Sequence, residues 1–237
     1  MMARTVYRLS LRLLVTRGRL AALVAVGAVA ILLGGVVRAG GADVDKGKAV
    51  YDVLDAYCLG VLAPIVALVF ASAALGDPAE DGTLVYLWLK PVARWQIVVG
   101  ALAASLTVAL PLVVVPSVVA AEASGVGHGV VGAAAAAGTL SVLAYTTIFL
   151  GLGLKVKRAL VWGLAYVLIW EGAVARTGRG AARLAVHVYA RSVLARMADR
   201  PEPKLAIAPF TSVFVPLVVA ALAVVLAIWL LTRAEVA

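Results

Sequence analysis

Apolar residues in this chain come in long blocks rather than in the alternation of a half-buried strand or the narrow stripe of a soluble helix. Six blocks stand out, at residues 20–37, 57–75, 98–121, 130–154, 159–175 and 207–231. Each holds roughly the 17–25 residues that a helix rising 1.5 Å per residue needs to cross about 30 Å of hydrocarbon. In lipid every backbone polar group must be satisfied within its own segment, so these blocks are read as transmembrane helices. A barrel would need polar and apolar residues in alternation, which the blocks lack. The pattern predicts an all-α integral membrane protein with six spans in a single domain over 1–237.

Composition agrees. Of the 237 residues, 64% are hydrophobic and 14% charged, and mean hydropathy is +1.07. A soluble domain is about 45–50% apolar and about 25% charged. Twenty-one Lys and Arg against twelve Asp and Glu give a net charge of +9. In this setting the excess reads as loop charge facing anionic lipid headgroups rather than as a nucleic-acid surface. Cys58 is the only cysteine, so no intrachain disulfide forms; it reads as a small apolar residue. His128 and His187 are far apart, and no Cys/His cluster has metal-ligand spacing.

Charge also orients the spans. Arg4, Arg8, Arg12, Arg17 and Arg19 precede the first block, which puts the amino terminus in the cytoplasm. The block is too long for a signal-peptide core, and the residues after it make a poor cleavage site. Val6, Leu9 and Leu13 lie away from the arginines, so 1–19 is read as an interfacial helix turning into the first span. Six spans return the carboxyl terminus to the cytoplasm, with the connectors at 76–95 and 155–158. The connectors at 38–56 and 122–129 lie outside.

Residues 176–204 carry seven Lys and Arg and, by this count, fall outside, against the rule. At 100° per residue, Arg176, Arg179, Arg183, His187 and Arg191 share a face, and Ala182, Ala185, Val186, Val188, Tyr189 and Val193 lie opposite. The reading is an amphipathic helix flat on the outer surface, basic face to headgroups; a miscounted span is the alternative.

The most specific stretch is the connector at 76–95. Pro78 and the acidic pair Glu80-Asp81 end a span. Gly82 permits a sharp turn and Thr83 caps the next helix. Leu84, Leu87 and Trp88, spaced i, i+3, i+4, form an apolar patch, and Pro91 stops the helix after two turns. Arg94 and Trp95 anchor the next span at the interface. A short capped amphipathic helix between two spans suits docking into a groove of a soluble partner.

These residues, Glu80-Asp81-Gly82-Thr83-Leu84, Leu87, Lys90-Pro91-Val92 and Arg94, resemble the signature of ABC-2 type permeases, the membrane subunits of type-2 ABC exporters. The basic amino-terminal segment is similar to that family's elbow helix, and Leu231-Thr232-Arg233-Ala234-Glu235 resembles its basic-acidic tail. Gly100-Ala101 departs from the Gly-Lys frequent in the family. The resemblance implies that 80–91 is a coupling helix seated on a separate ATP-binding subunit, with Glu80, Asp81, Gly82, Thr83, Leu84, Leu87, Trp88, Pro91 and Arg94 as coupling residues. It implies two permease chains, as homodimer or heterodimer, in the cytoplasmic membrane, and short outer-side helices between the fifth and sixth spans. ATP and Mg²⁺ would then be bound by the partner. This chain has no G-x-x-x-x-G-K-[ST]: Gly41 to Gly47-Lys48-Ala49 has one residue too many and no hydroxyl. No cofactor and no enzymatic activity are expected of it. The alternative function is a membrane scaffold that docks a cytoplasmic protein through 80–91 and transports nothing.

Other polar residues carry weaker signals. Glu171, inside the fifth block, is a functional candidate by depth alone, or pairs with Arg176, Arg179 or Arg183. Ser124 and His128 share one Gly-rich loop with no third group to orient the base, so catalysis is not expected of them. Pro111 and Pro116 should kink the third span. Gly151, Gly153 and the run 133–138 allow close helix contact, within the chain or between copies.

Overall fold

The computed structural model describes residues 2–41, 44–80, 93–174, 179–200 and 207–233, and among them there is no strand. Helix α1 spans Met2–Leu14 and α2 Arg17–Ala39. Helix α3, Lys46–Asp52, runs through a π-helical stretch, Val53–Leu62, into α4, Ala63–Glu80. Next come α5, Arg94–Ser124, and α6, His128–Lys155. Helix α7, Ala159–Ala165, continues as a second π-helical stretch, Tyr166–Val174. The short α8, Arg179–Ala182, is followed by α9, Val186–Met197, and α10, Pro209–Arg233.

Five of these are long and apolar enough to cross a membrane: Arg17–Ala39, Lys46–Pro78, Arg94–Ser124, His128–Lys155 and Pro209–Arg233. The sixth expected span, 159–175, is represented by the shorter apolar segment Ala159–Ala173. At 1.5 Å per residue these 15 residues reach about 22 Å, and residues 175–178 beyond them lie outside the described residues.

The bundle centre is α4, α5 and α6, whose buried faces carry Phe70, Val98, Ala101, Tyr145 and Phe149. Small residues let the helices approach. In α2 the buried positions are Leu23, Gly27, Ala30, Gly34 and Val37, a 4-3-4-3 spacing that keeps one stripe on α5. A Cβ on Gly27 would stand 2.8 Å from Pro116 Cγ, and one on Gly34 would stand 2.3 Å from the Ala120 carbonyl oxygen. Pro111 and Pro116 both lie inside the continuous helix α5. Gly153 packs within the chain: a Cβ there would meet the Ser72 carbonyl oxygen of α4 at 2.6 Å. Ala133, Ala134 and Ala137 join Leu54, Leu59, Ala190, Leu194 and Ala195 in a second core at the other end of the bundle. The small residues of α6 therefore serve intrachain packing.

Helix α1 rests on the bundle through Val6, Ser10 and Leu14, which are buried at i, i+4, i+8. Leu9 and Leu13 point outward beside Arg8 and Arg12, so the apolar side expected of Val6, Leu9 and Leu13 is divided between bundle and surroundings.

The segment after the second π stretch departs from the flat surface helix expected at 176–204. It breaks at 183–185, and α9 is inserted along α6. Met197 lies over Gly129 and Gly132 at the start of α6, while Val186 reaches the level of Glu171 and Tyr145. Tyr189, Ala190, Ser192, Leu194 and Ala195 are all buried. His187 and Arg191, expected to face headgroups, turn inward onto Asp55. The 100° projection grouped them correctly on one face but could not say what that face meets.

Candidate functional site

Two groups of polar side chains are brought together, one at an end of the bundle and one in its interior. The first surrounds the ends of the 76–95 connector. Of the residues singled out there, Asp81, Gly82, Thr83, Leu84, Leu87, Trp88 and Pro91 lie outside the described residues; Glu80 and Arg94 are described. Glu80 Oε1 accepts a hydrogen bond from the Arg158 backbone N–H at 2.5 Å. Arg158 sits at φ 57 and caps the start of α7. A non-glycine residue in this left-handed region is uncommon, and the carboxylate satisfies one of the backbone donors that a helix start leaves open. Arg94 Nη1 donates to the Leu231 carbonyl at 2.9 Å, satisfying an open acceptor in the last turn of α10. Arg19 pairs with Asp77 at 3.0 Å and ties α2 to the end of α4. Both margins of the connector are thus fastened to other helices, Glu80 to the α6–α7 turn and Arg94 to the carboxyl end of α10.

This end of the bundle is strongly basic. It gathers Arg17, Arg19, Arg94, Lys155, Lys157, Arg158 and Arg233 against Asp77 and Glu80 among the described residues. The opposite end is mixed: Arg38, Lys46, Lys48, Arg196 and Arg200 stand with Asp45, Asp52, Glu122 and Asp199.

The second group lies inside the bundle, at the level of Tyr145 in the middle of α6. Glu171, in the second π stretch, is buried. It accepts from the Tyr145 hydroxyl, from the Tyr166 hydroxyl at 3.2 Å and from the Val186 backbone N–H at 3.1 Å. Of its three expected partners, Arg176 and the side chain of Arg179 lie outside what is described, and Arg183 is exposed. The described donors to the buried carboxyl are two hydroxyls and one backbone N–H. Phe149 closes the site, stacked on Tyr145 at 5.8 Å and edge-on to Tyr166 at 6.4 Å. Asp55, in the first π stretch, is likewise buried and lies 3.0 Å from His187 Nε2 and 3.4 Å from Arg191 Nε. Nothing in the amino-acid pattern signalled Asp55; an Asp two positions before the 57–75 block, in a connector that also holds Asp43, Asp45 and Asp52, looks like a loop charge. Among the described residues no group of three His, Cys, Asp or Glu is arranged to hold a metal ion.

Farther out, Arg200 clasps Asp45 at 3.1 Å and joins the end of α9 to the start of α3. The Arg200 guanidinium holds the Asp45 carboxyl below the ordinary range, helped by the Lys48 backbone N–H.

Long apolar helices, interhelical contact through glycine and alanine, and charge concentrated at the bundle ends define a multi-pass α-helical membrane protein. Comparison with protein-family models and with curated proteins gives no match to this chain.

Proposed function

We propose that the chain is the membrane subunit of an ATP-driven transporter of the ABC-2 type, working as a dimer with a separate ATP-binding protein. The observation that carries this reading is the connector between α4 and α5. Its sequence encodes a two-turn amphipathic helix bounded by Gly82-Thr83 and Pro91. Its margins are fastened through Glu80 to the α6–α7 turn and through Arg94 to the end of α10. A displacement of that element by a bound partner would be carried into several helices at once, because each fastening joins packed, rigid segments.

The excess of arginine and lysine at the connector end supports placing it in the cytoplasm, where an ATP-binding partner resides. In this reading α1 is the elbow helix, the inserted segment α8–α9 belongs to the outer side, and nucleotide and Mg²⁺ are held by the partner. The unconnected apolar faces of α2 and α10 face lipid or a second copy.

The test is co-purification with an ATP-binding partner, followed by ATP hydrolysis with and without the chain. Leu87→Asp, or charge reversal at Glu80 and Asp81, is expected to abolish stimulation of hydrolysis while leaving membrane insertion intact. Unchanged stimulation in both variants refutes the coupling role. Partner binding without any stimulated hydrolysis or transport would favour a scaffold.

A further inference from the structure

Each of the two π-helical stretches carries one buried carboxylate, Asp55 in Val53–Leu62 and Glu171 in Tyr166–Val174. Both carboxylates converge on the first turn and a half of α9. π-Helical geometry is rare and clusters at functional sites, because it rotates side chains out of the α-helical register. Here it delivers two acids to one small helix.

The charges facing His187 can be enumerated. The first π stretch brings Asp55, and the second brings Glu171 and Tyr166. Helix α6 brings Tyr145, whose hydroxyl bonds Glu171 and approaches the His187 main chain. Helix α9 itself brings Arg191, 3.4 Å from Asp55, and Tyr189, whose hydroxyl is bonded to the Arg183 carbonyl. Asp52, one turn before Asp55, is exposed, and the described part of α10 has Arg233 as its sole titratable group, at the opposite end. Among the described residues the charged groups closest to His187 are therefore Asp55, Glu171 and Arg191. An isolated buried charge costs far more than a paired one.

His187 Nε2 lies 3.0 Å from Asp55 Oδ1 and 3.1 Å from the Asp55 carbonyl oxygen. A carbonyl only accepts, so Nε2 carries a hydrogen in this geometry. Oδ1 has no aligned donor of its own, and its interaction with the ring is one of charge. The proton that can come and go is therefore the one on Nδ1.

From this geometry we infer that His187 is a proton-binding site, whose protonated form pairs with Asp55 and latches α9 to the first π-helical stretch. Loss of the Nδ1 proton removes that pairing and loosens α9 from the bundle. Burial by itself would lower the affinity of the ring for a proton, but the carboxylate and carbonyl of Asp55 and the charge of Glu171 outweigh it, and the net direction is upward. The inference holds whether or not the chain couples to an ATPase.

Two measurements on the full chain in nanodiscs test it. The chain has two histidines, so imidazole NMR with labelled histidine gives two ring signals, assigned by His187→Gln. The His187 signal is expected to titrate above the ordinary histidine value of about 6.5, and Asp55→Asn is expected to lower its midpoint by about one unit or more. Spin labels at Glu122→Cys and Met197→Cys, in a Cys58→Ala background, then report the distance from α9 to the end of α5. A single narrow distance is expected near pH 5 and a broadened, longer one near pH 9, with His187→Gln broad at both. A His187 midpoint at or below the ordinary value, or a midpoint indifferent to Asp55→Asn, overturns the inference. So does a distance distribution that is the same at both pH values.

Discussion

Gly34 and Gly35 are neighbours on α2 that differ only in the direction they face. A Cβ on Gly34 would stand 2.3 Å from the Ala120 carbonyl oxygen, 2.8 Å from its Cα and 2.9 Å from its carbonyl carbon. All three are backbone atoms of α5 and cannot rotate aside. A Cβ on Gly35 would meet nothing within 4 Å. Gly34→Ala and Gly35→Ala gain the same helix propensity, about 1 kcal/mol. Their difference therefore isolates packing. To restore ordinary contact, α2 and α5 must separate by about 1 Å, which forfeits a quarter to a half of the dispersion attraction along the stripe. Overpacking of this kind costs about 1–3 kcal/mol. In a chain of this size each kcal/mol moves the unfolding midpoint by about 2–4 °C. Gly34→Ala should therefore unfold about 2–12 °C below Gly35→Ala, by the conversion just given. The assay is near-ultraviolet circular dichroism of the detergent-solubilised full chain, both variants heated at one rate. Equal midpoints, or a lower midpoint for Gly35→Ala, would show that the Leu23–Val37 stripe does not set the α2–α5 contact.

Three further outcomes are expected. Tyr145→Phe removes a donor to Glu171 at a fully buried position and should cost about 1–3 kcal/mol in chemical denaturation, more than Tyr166→Phe at its partly exposed position; equal losses would contradict the assignment of Glu171's partners. The Asp45–Arg200 clasp should weaken as pH falls through the lowered Asp45 range, because a carboxyl with a depressed folded value contributes only while ionised. Arg200→Ala should abolish that part of the acid sensitivity, and an unchanged pH profile of thermal unfolding would refute it. Arg94→Ala leaves the Leu231 carbonyl without its guanidinium donor, and amide hydrogen exchange is expected to rise in the last turn of α10 while the α4–α6 core stays protected. Uniform exchange across both regions would argue against that fastening.

The blocks at 20–37, 98–121, 130–154 and 207–231 each fall inside a single long helix, and 57–75 falls inside the Lys46–Pro78 helix. Such elements are legible because crossing a bilayer is a one-dimensional demand: enough consecutive apolar residues and internally satisfied hydrogen bonds. The connector at 76–95 reads as a motif because caps, prolines and an i, i+3, i+4 patch are local features, and its residues 81–92 lie outside the described residues. Its fastenings were not legible, because Glu80 meets Arg158 and Arg94 meets Leu231 across 78 and 137 positions of chain.

Sequence alone thus determined which segments are apolar helices and that Glu171 is a carboxylate at depth, but not where the helices end: one begins at Lys46, inside the expected 38–56 connector. Tertiary structure decided what the polar faces meet. Helical periodicity gives the direction of a side chain about its own axis and nothing of what stands opposite. His187 and Arg191 formed a basic face in projection, and only the folded bundle set Asp55 against it. The two π-helical stretches were invisible for a related reason. They depart from the 100° register that any projection assumes, and interhelical packing rather than local preference holds them there.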